Sequence, residues 1–114
     1  METTRQNKIN RLIQKELSEV FLLQTKAMHG ILVSVSQVRV SPDLSVARVY
    51  LSIFPSEKGE ELIKNIQGST REIRYEVAGR VRFQLRKMPE LNFFLDDSLD
   101  YAEKIDALLK NNLG

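Results

Sequence analysis

The chain has 114 residues, of which 42% are hydrophobic and 28% charged, and its formal net charge is +2, as is typical of one globular domain. It contains no cysteine, which excludes disulfides, thiolate catalysis and cysteine-ligated metals and is compatible with a reducing cytoplasm. No stretch approaches the roughly 20 apolar residues that span a bilayer, and we expect no secretory signal in the polar first fifteen residues.

Charge is distributed unevenly along the chain. Residues 71–87 contain six basic residues against two acidic ones, and residues 1–15 contain four against one. Residues 90–114 reverse the balance, with six acidic residues against two basic ones. The sequence therefore predicts a polarised surface, provided that the fold brings the two basic segments together.

The first predicted element is a helix over residues 4–26, because apolar residues recur there at helical spacing. These residues are Ile9, Leu12, Ile13, Val20 and Leu23. Thr3 or Thr4 is expected to cap the helix start. Lys8, Arg11 and Lys15 share a neighbouring face, so the basic side chains line up along the helix.

Two strands follow, over residues 31–40 and 45–54, and the turn signal between them predicts an antiparallel hairpin. The alternation of apolar residues in the first strand changes parity near Ser36 and Gln37, which predicts a β-bulge at that position. In the second strand, Arg48 and Tyr50 are expected on the face away from the core.

A short helix over residues 57–67 and a second helix reaching Lys87 are predicted next, with a break at Gly68 and Ser69. Pro89 ends the second helix because it lacks the backbone N–H. Residues 90–95 are predicted to form the third strand, with Phe94 as its exposed aromatic residue. A last helix is expected over residues 98–112.

The order of these elements, α-β-β-α-α-β-α, predicts an α+β fold in which a mixed three-stranded sheet carries helices on one face. We expect residues 1–97 to form a single domain, whose basic segments suit the binding of phosphates. Residues 98–114 would form a C-terminal helix and tail that pack on this domain or trail from it.

Three segments carry a resemblance to a known family. They are the run from Val35 to Leu44 with Ala47–Ser52 after it, the basic helix from Ile73 to Arg86, and Pro89–Phe94 followed by Asp96. Together they resemble the ribosome-binding factor A family, and the element order is similar to that of a type II KH domain.

The resemblance implies a cytoplasmic protein that binds the immature small (30S) ribosomal subunit as a monomer. It implies assistance in late folding and 5′-end maturation of 16S ribosomal RNA, and a role in growth at low temperature. It implies no enzymatic activity, no cofactor, no small-molecule substrate and no membrane. The family places an Ala-x-Gly kink between the last two helices of the domain. The nearest counterparts here are Ile66-Gln67-Gly68 and Ser69-Thr70-Arg71, on either side of the predicted Gly68–Ser69 break, and neither matches the pattern fully.

RNA-binding KH domains clamp the RNA backbone with a GxxG loop, but this sequence contains no GxxG. RNA binding would therefore depend on phosphate contacts from lysine and arginine and on shape. The candidates are Arg5, Lys8, Arg11, Lys15, Arg71, Arg74, Arg80, Arg82, Arg86 and Lys87. For each of them, the alternative is a solvated helix face or an ion pair with Glu72, Glu76 or the acidic tail.

Tyr75 and Tyr50 are candidates for base stacking, although a half-exposed tyrosine more often covers the edge of a core. The carboxylates Asp96, Asp97 and Asp100 fit helix capping better than a metal site. No nucleophile–base pair, glycine-rich phosphate loop or zinc-ligand spacing can be assembled, so the sequence predicts no enzyme. The alternative function is a KH-like protein-interaction module that binds an acidic protein partner.

Overall fold

The computed structural model describes residues 3–96. The elements within this range are α1 (Thr4–Thr25), β1 (Leu32–Val40), β2 (Val46–Phe54), a 3-10 helix (Ser56–Lys58), α2 (Gly59–Gly68), α3 (Thr70–Val81) and β3 (Glu90–Leu95). Their order confirms the predicted α-β-β-α-α-β arrangement. The helix predicted over residues 98–112 lies outside the described residues.

The sheet is mixed, with the strand order β1-β2-β3. The hairpin turn makes β1 and β2 antiparallel, whereas β3 runs parallel to β2 because α2 and α3 carry the chain back across the sheet. Helix α1 packs on β1 and against α3, and α2 packs on β3. All helices of the described range thus cover one face of the sheet and leave the other face open.

The bulge predicted in β1 is confirmed at Ser36. Val35 pairs with Leu51 and Gln37 pairs with Tyr50, so Ser36 is the extra residue. The insertion restores the parity of the strand, and as a result the valines on both sides of the bulge face the helices and are buried.

The core-facing stripe of α1 differs from the prediction at its C-terminal end. It runs through Ile13, Leu17, Val20 and Phe21, which are all at most 1% exposed. Phe21 meets Phe93 of β3 edge to face, with 6.0 Å between the ring centroids. Leu23 was expected on this stripe but is 58% exposed, because the register set by Val20 and Phe21 turns it away from the sheet.

Helix α3 ends at Val81, so the prediction that it reaches Lys87 is wrong. The amides of Gln84 and Leu85 both donate to the carbonyl of Val81, at 2.8 and 2.9 Å, and form a turn. Pro89 cannot continue a helix, and it disfavours helical backbone at the residue before it. Residues 82–89 therefore form a loop between α3 and β3, which we call the α3–β3 loop, and the apolar repeat through residue 85 reflects packing of this loop on the core.

Candidate nucleic-acid interface

The start of α1 is held by a capping box and by a long-range hydrogen bond. The Gln6 amide donates to Thr3 Oγ1 at 3.1 Å, and the Thr3 amide donates back to Gln6 Oε1 at 2.8 Å. Gln6 Nε2 also donates to the carbonyl of Val40, at the end of β1, at 3.1 Å. The buried Gln6 side chain thus ties the first turn of α1 to the sheet.

Asn10 makes a second connection to the same strand residue. Its side-chain oxygen Oδ1 accepts from the Val40 amide at 2.8 Å. Gln6 and Asn10 together use both backbone groups of Val40, which fixes α1 beside the β1–β2 turn. Arg5 and Lys8 remain exposed on the outer side of the helix at this point.

The β1–β2 turn is organised by Asp43. Its Oδ1 accepts from Ser41 Oγ at 2.6 Å, from Ser45 Oγ at 2.8 Å and from the Ser45 amide at 3.2 Å. The hydrogen bond from the Ser41 side chain is the largest of the causes that lower the pKa of Asp43 to about 2. Leu44 takes a left-handed backbone conformation, with φ of 63°.

The α3–β3 loop is clamped by Arg74 of α3. Its Nη2 donates to the carbonyl of Met88 at 2.8 Å, and its Nε donates to the carbonyl of Pro89 at 3.1 Å. Pro89 is buried, and Leu85 and Met88 pack against the core. The loop is therefore positioned by contacts of its backbone and its apolar side chains, while Arg86 and Lys87 are exposed.

These three elements enclose a groove of about 620 Å³, which we call the basic groove. Four cationic side chains line it, Arg5 and Lys8 from α1 and Arg86 and Lys87 from the α3–β3 loop. Asp43 is the acidic residue at its edge. The apolar side chains in its lining are those of Ile9, Leu12, Leu44, Leu85 and Pro89. The two basic segments of the sequence thus meet here.

The other candidate cations are placed in different ways. Arg11 and Lys15 are exposed further along α1, and Arg71 is exposed at the start of α3. The guanidinium of Arg82 lies 4.6 Å from the ring centroid of Phe83, which is itself 85% exposed. All four of these side chains can therefore reach solvent anions.

Arg80 forms ion pairs within the protein. Its Nη1 lies 3.0 Å from Glu19 Oε2 and 3.5 Å from Glu16 Oε2, so it links α3 to α1. With Arg74 on the loop carbonyls, two of the candidate arginines of α3 have structural contacts. The sequence offered Glu72 and Glu76 as partners, whereas Arg80 pairs with carboxylates on another helix.

The aromatic candidates lie on different faces. Tyr75 is 84% exposed on α3. Tyr50 lies on the open face of the sheet and stacks on Phe94, with 5.6 Å between the ring centroids.

Ser69 lies between α2 and α3, and its amide donates to the carbonyls of Ile66 and Asn65 at 3.0 and 3.1 Å. The Gly68–Ser69 break is therefore a short interruption between two helices.

Gln6 and Asn10 were not singled out from the sequence, although they position Arg5 and Lys8. For Gln6 a signal was present, because Thr3-x-x-Gln6 matches a capping box. The long-range bonds of Gln6 and Asn10 to Val40 carry no local signal. Among residues 3–96, no group of three or more carboxylate, histidine or cysteine side chains could hold a metal ion, and no helix is long and apolar enough to cross a membrane.

The fold defines the class of protein to which the chain belongs. It is an α+β domain with the type II KH element order, in which a helix break replaces the GxxG loop. The family model described as "Ribosome-binding factor A" matches residues 5–109. The chain therefore belongs to the ribosome-binding factor A family.

Individual relatives agree with this assignment. The chain is 50% identical over 111 residues to ribosome-binding factor A of Christiangramia forsetii, covering 96% of this chain and 85% of that protein. The identity, length and coverage are the same for ribosome-binding factor A of Flavobacterium johnsoniae.

Solved structures give the same result for the fold. The crystal structure of ribosome-binding factor A from Thermus thermophilus is similar with a TM-score of 0.64 and 26% identity, covering 79% of this chain and 94% of that one. A homology model of the Thermus thermophilus factor, fitted into a cryo-electron microscopy map of its complex with the 30S subunit, gives a TM-score of 0.64 and 28% identity. That match covers 77% of this chain and 91% of the other.

Proposed function

We propose that this protein is a non-catalytic ribosome assembly factor of the cytoplasm that binds the immature small (30S) ribosomal subunit. In this proposal it acts as a monomer, assists late folding and 5′-end maturation of 16S ribosomal RNA, and supports growth at low temperature. The observation that carries the proposal is the meeting of the two basic segments at the basic groove. Membership of the family and the 30S complex of the Thermus thermophilus relative support the choice of partner.

The chemistry of the interface favours RNA phosphates. Lysine and arginine at the edge of the basic groove can neutralise phosphates from two sides, and counterion release then makes the affinity dependent on salt. Without a GxxG loop, the contact would read the shape and charge of the RNA more than its sequence. We infer a conformational mechanism, in which binding stabilises one arrangement of the RNA until the subunit is ready for its next component.

The binding residues in this proposal fall into two groups. The groove cations Arg5, Lys8, Arg86 and Lys87 contact phosphates directly, and Arg11, Lys15, Arg71 and Arg82 extend the surface on either side. Arg74 and Arg80 act mainly by holding the α3–β3 loop and the α1–α3 pair in place. We also propose that residues 1–97 act as one RNA-binding domain. The helix predicted over residues 98–112 lies outside the described residues.

The test is co-sedimentation with purified small subunits, both mature and immature, across a salt series. We expect salt-sensitive binding that is stronger on immature subunits. Changing Arg82 and Arg86 to Ala should weaken binding, and the slope of log affinity against log salt should fall by about 0.7–0.9 for each phosphate that is no longer neutralised. Thermal stability should stay nearly unchanged, because both side chains are exposed.

Lys64 on α2 provides the matched control, since it is an exposed cation away from the basic groove. Changing Lys64 to Gln should leave subunit binding and its salt slope nearly unchanged, because Lys64 is not among the proposed phosphate contacts. Absence of binding at low salt would contradict the proposal. Tight, salt-dependent binding to an acidic protein with none to subunits would favour the alternative, a KH-like protein-interaction module.

A further inference from the structure

The open face of the sheet has an arrangement that fold stability does not explain. Arg39 of β1 lies directly opposite Arg48 of β2, and both side chains are exposed. Like charges directly across a strand pair are destabilising. Among residues 3–96, neither guanidinium forms an ion pair with a carboxylate. An anion supplied from outside the described domain would relieve the repulsion between these two guanidinium groups.

Next to the arginine pair lies an aromatic pair on the same face. Tyr50 and Phe94 are cross-strand neighbours on β2 and β3, and their rings are stacked at an interplanar angle of 30°. Phe94 is 42% exposed. An exposed aromatic surface on an open sheet is the device by which RRM domains stack unpaired bases.

The spacing between the arginine pair and the aromatic pair fits one nucleotide, with its base on the rings and its phosphate at the guanidinium groups. Tyr50 and Arg48 are two residues apart on one strand, about 6.7 Å along it, and point to the same face. Gln37, the partner of Tyr50 on β1, holds the neighbouring guanidinium. With its amide oriented by hydrogen bonding, its oxygen accepts from Arg39 Nε at 2.7 Å and from Nη2 at 3.0 Å. The arginines thus lie on one side of the aromatic pair.

The other side of the aromatic pair has a different chemistry. Asp96 accepts a hydrogen bond from Ser36 Oγ at 2.6 Å, and its carboxylate would repel a phosphate there. Beyond it, the exposed side chains of Leu32 and Phe54 pair across β1 and β2. The chemistry of the face therefore changes along the strands. The arginine pair, with the exposed Glu90 beyond Arg48, lies towards one end, the rings lie in the middle, and an apolar pair lies at the other end.

We propose that this open face is a second RNA-binding surface, which takes an unpaired, single-stranded RNA segment with a base on the Tyr50–Phe94 pair and a phosphate at Arg39 and Arg48. The surface lies opposite the helices and is separate from the basic groove. The inference rests on the proposed function in one respect, because it takes the partner to be RNA. Double-stranded RNA does not fit this surface, since its bases are not available for stacking.

The first test uses the absence of tryptophan from the chain. Replacing Phe94 by tryptophan places a single indole on the open face, and stacking of a base should quench its fluorescence. The full-length F94W variant is titrated with single-stranded octauridylate and, separately, with a 12-base-pair RNA duplex. We expect saturable quenching with octauridylate and little with the duplex. The matched control is Leu23→Trp, which places an exposed indole on α1, away from the open face, and should not be quenched.

The second test measures affinity with fluorescein-labelled octauridylate. Phe94→Leu should weaken binding about tenfold, in line with the loss of one stacked base. Arg48→Gln should weaken binding and lower the salt slope by about 0.7, as for one single-strand phosphate contact. Leu23→Ala should leave the affinity nearly unchanged, because Leu23 is exposed on α1 and belongs to neither pair. Since Arg48 is exposed, its variant keeps the test valid even where the Phe94 variant fails to fold.

Wild-type affinity for octauridylate in both Phe94→Leu and Arg48→Gln would overturn the inference. Binding of an acidic peptide such as oligoglutamate, with none of octauridylate, would overturn it as well. The outcome is separable from that of the proposed function, which is measured on subunits and with groove variants. A protein that binds octauridylate through the sheet but never co-sediments with subunits would contradict only the proposed function.

Discussion

At the scale of single residues, the arginines of α3 have different roles although they lie close together on one helix. Arg74 donates to two backbone carbonyls of the α3–β3 loop. Arg71, one turn earlier, is exposed, and its side chain forms no hydrogen bond or ion pair within residues 3–96. Their charge is the same, so only their contacts decide which of the two side chains is free to bind an external anion.

Changing Arg74 to Gln should destabilise the protein by about 1–2 kcal/mol, because two loop carbonyls lose a charged donor. Changing Arg71 to Gln should alter the free energy of unfolding by less than about 0.5 kcal/mol. Urea denaturation of both variants measures the difference. Equal stabilities would mean that the Arg74 contacts do not hold the loop.

Asp43 provides a pH prediction at the same scale. Its folded-state pKa is about 2, against an ordinary value of 3.8, because the Ser41 and Ser45 side chains and the Ser45 amide donate to it. A lowered pKa stabilises the fold above pH 4, and this stability is lost as the pH falls from about 4 to about 2. Removing the carboxylate should therefore lower the stability of the fold at neutral pH and have little effect on it in acid.

The Asp43→Asn variant should melt at a lower temperature than the unmodified protein at pH 6, and the gap should narrow as the pH falls to 2. Thermal unfolding followed by circular dichroism at several pH values gives the two melting temperatures. A gap that stays constant across this range would show that the charge of Asp43 does not contribute to stability. Glu57 serves as a control carboxylate, since it is exposed and makes no hydrogen bond of the kind that holds Asp43.

At the scale of elements, α3 carries a glycine that its packing does not require. A Cβ atom added at Gly79 would meet no heavy atom within 4 Å, and Gly79 lies inside a helix. Glycine in a helix interior is less favourable than alanine by about 1 kcal/mol, because it loses more backbone entropy on folding.

Gly79→Ala should therefore raise the free energy of unfolding by about 0.5–1 kcal/mol. Gly30→Ala is the contrasting variant, since Gly30 has a φ of 78° that alanine adopts poorly, and it should lower stability. Chemical denaturation of both variants tests the pair. A destabilised Gly79→Ala protein would show that this glycine is needed for a reason other than the packing of α3.

At the scale of the whole molecule, the basic groove depends on contacts between distant parts of the chain. Asn10 and Val40 are 30 residues apart, yet the Asn10 side chain accepts from the Val40 amide in the interior. This contact sets where α1 lies beside the β1–β2 turn, and with it the position of Arg5 and Lys8 relative to Arg86 and Lys87.

Asn10→Ala should destabilise the protein by about 1–3 kcal/mol, because a buried backbone N–H loses its acceptor. Asn7→Ala, on the exposed side of the same helix, should change stability by less than about 0.5 kcal/mol. Hydrogen exchange of the Val40 amide offers a local readout beside global unfolding. An Asn10 variant in which Val40 stays fully protected would contradict the role given to this contact.

Local patterns in the sequence determined most of the fold. The helical spacing in α1, the parity change at Ser36, the turn before β2 and the break at Ser69 each depend on a few neighbouring residues, and each of these features lies within a residue or two of its prediction. They are fixed by backbone conformation and by the period of apolar residues, which are local properties of the chain.

Only the tertiary structure decided where α3 ends and which cations are available. The apolar repeat through residue 85 is typical of a helix, but packing of the loop on the core and the carbonyl contacts of Arg74 stabilise a different backbone after Val81. Likewise, the partners of Arg80 lie on another helix. Such contacts join residues far apart in sequence, so the charge of a side chain was determined by the sequence, while its surroundings were determined by the fold.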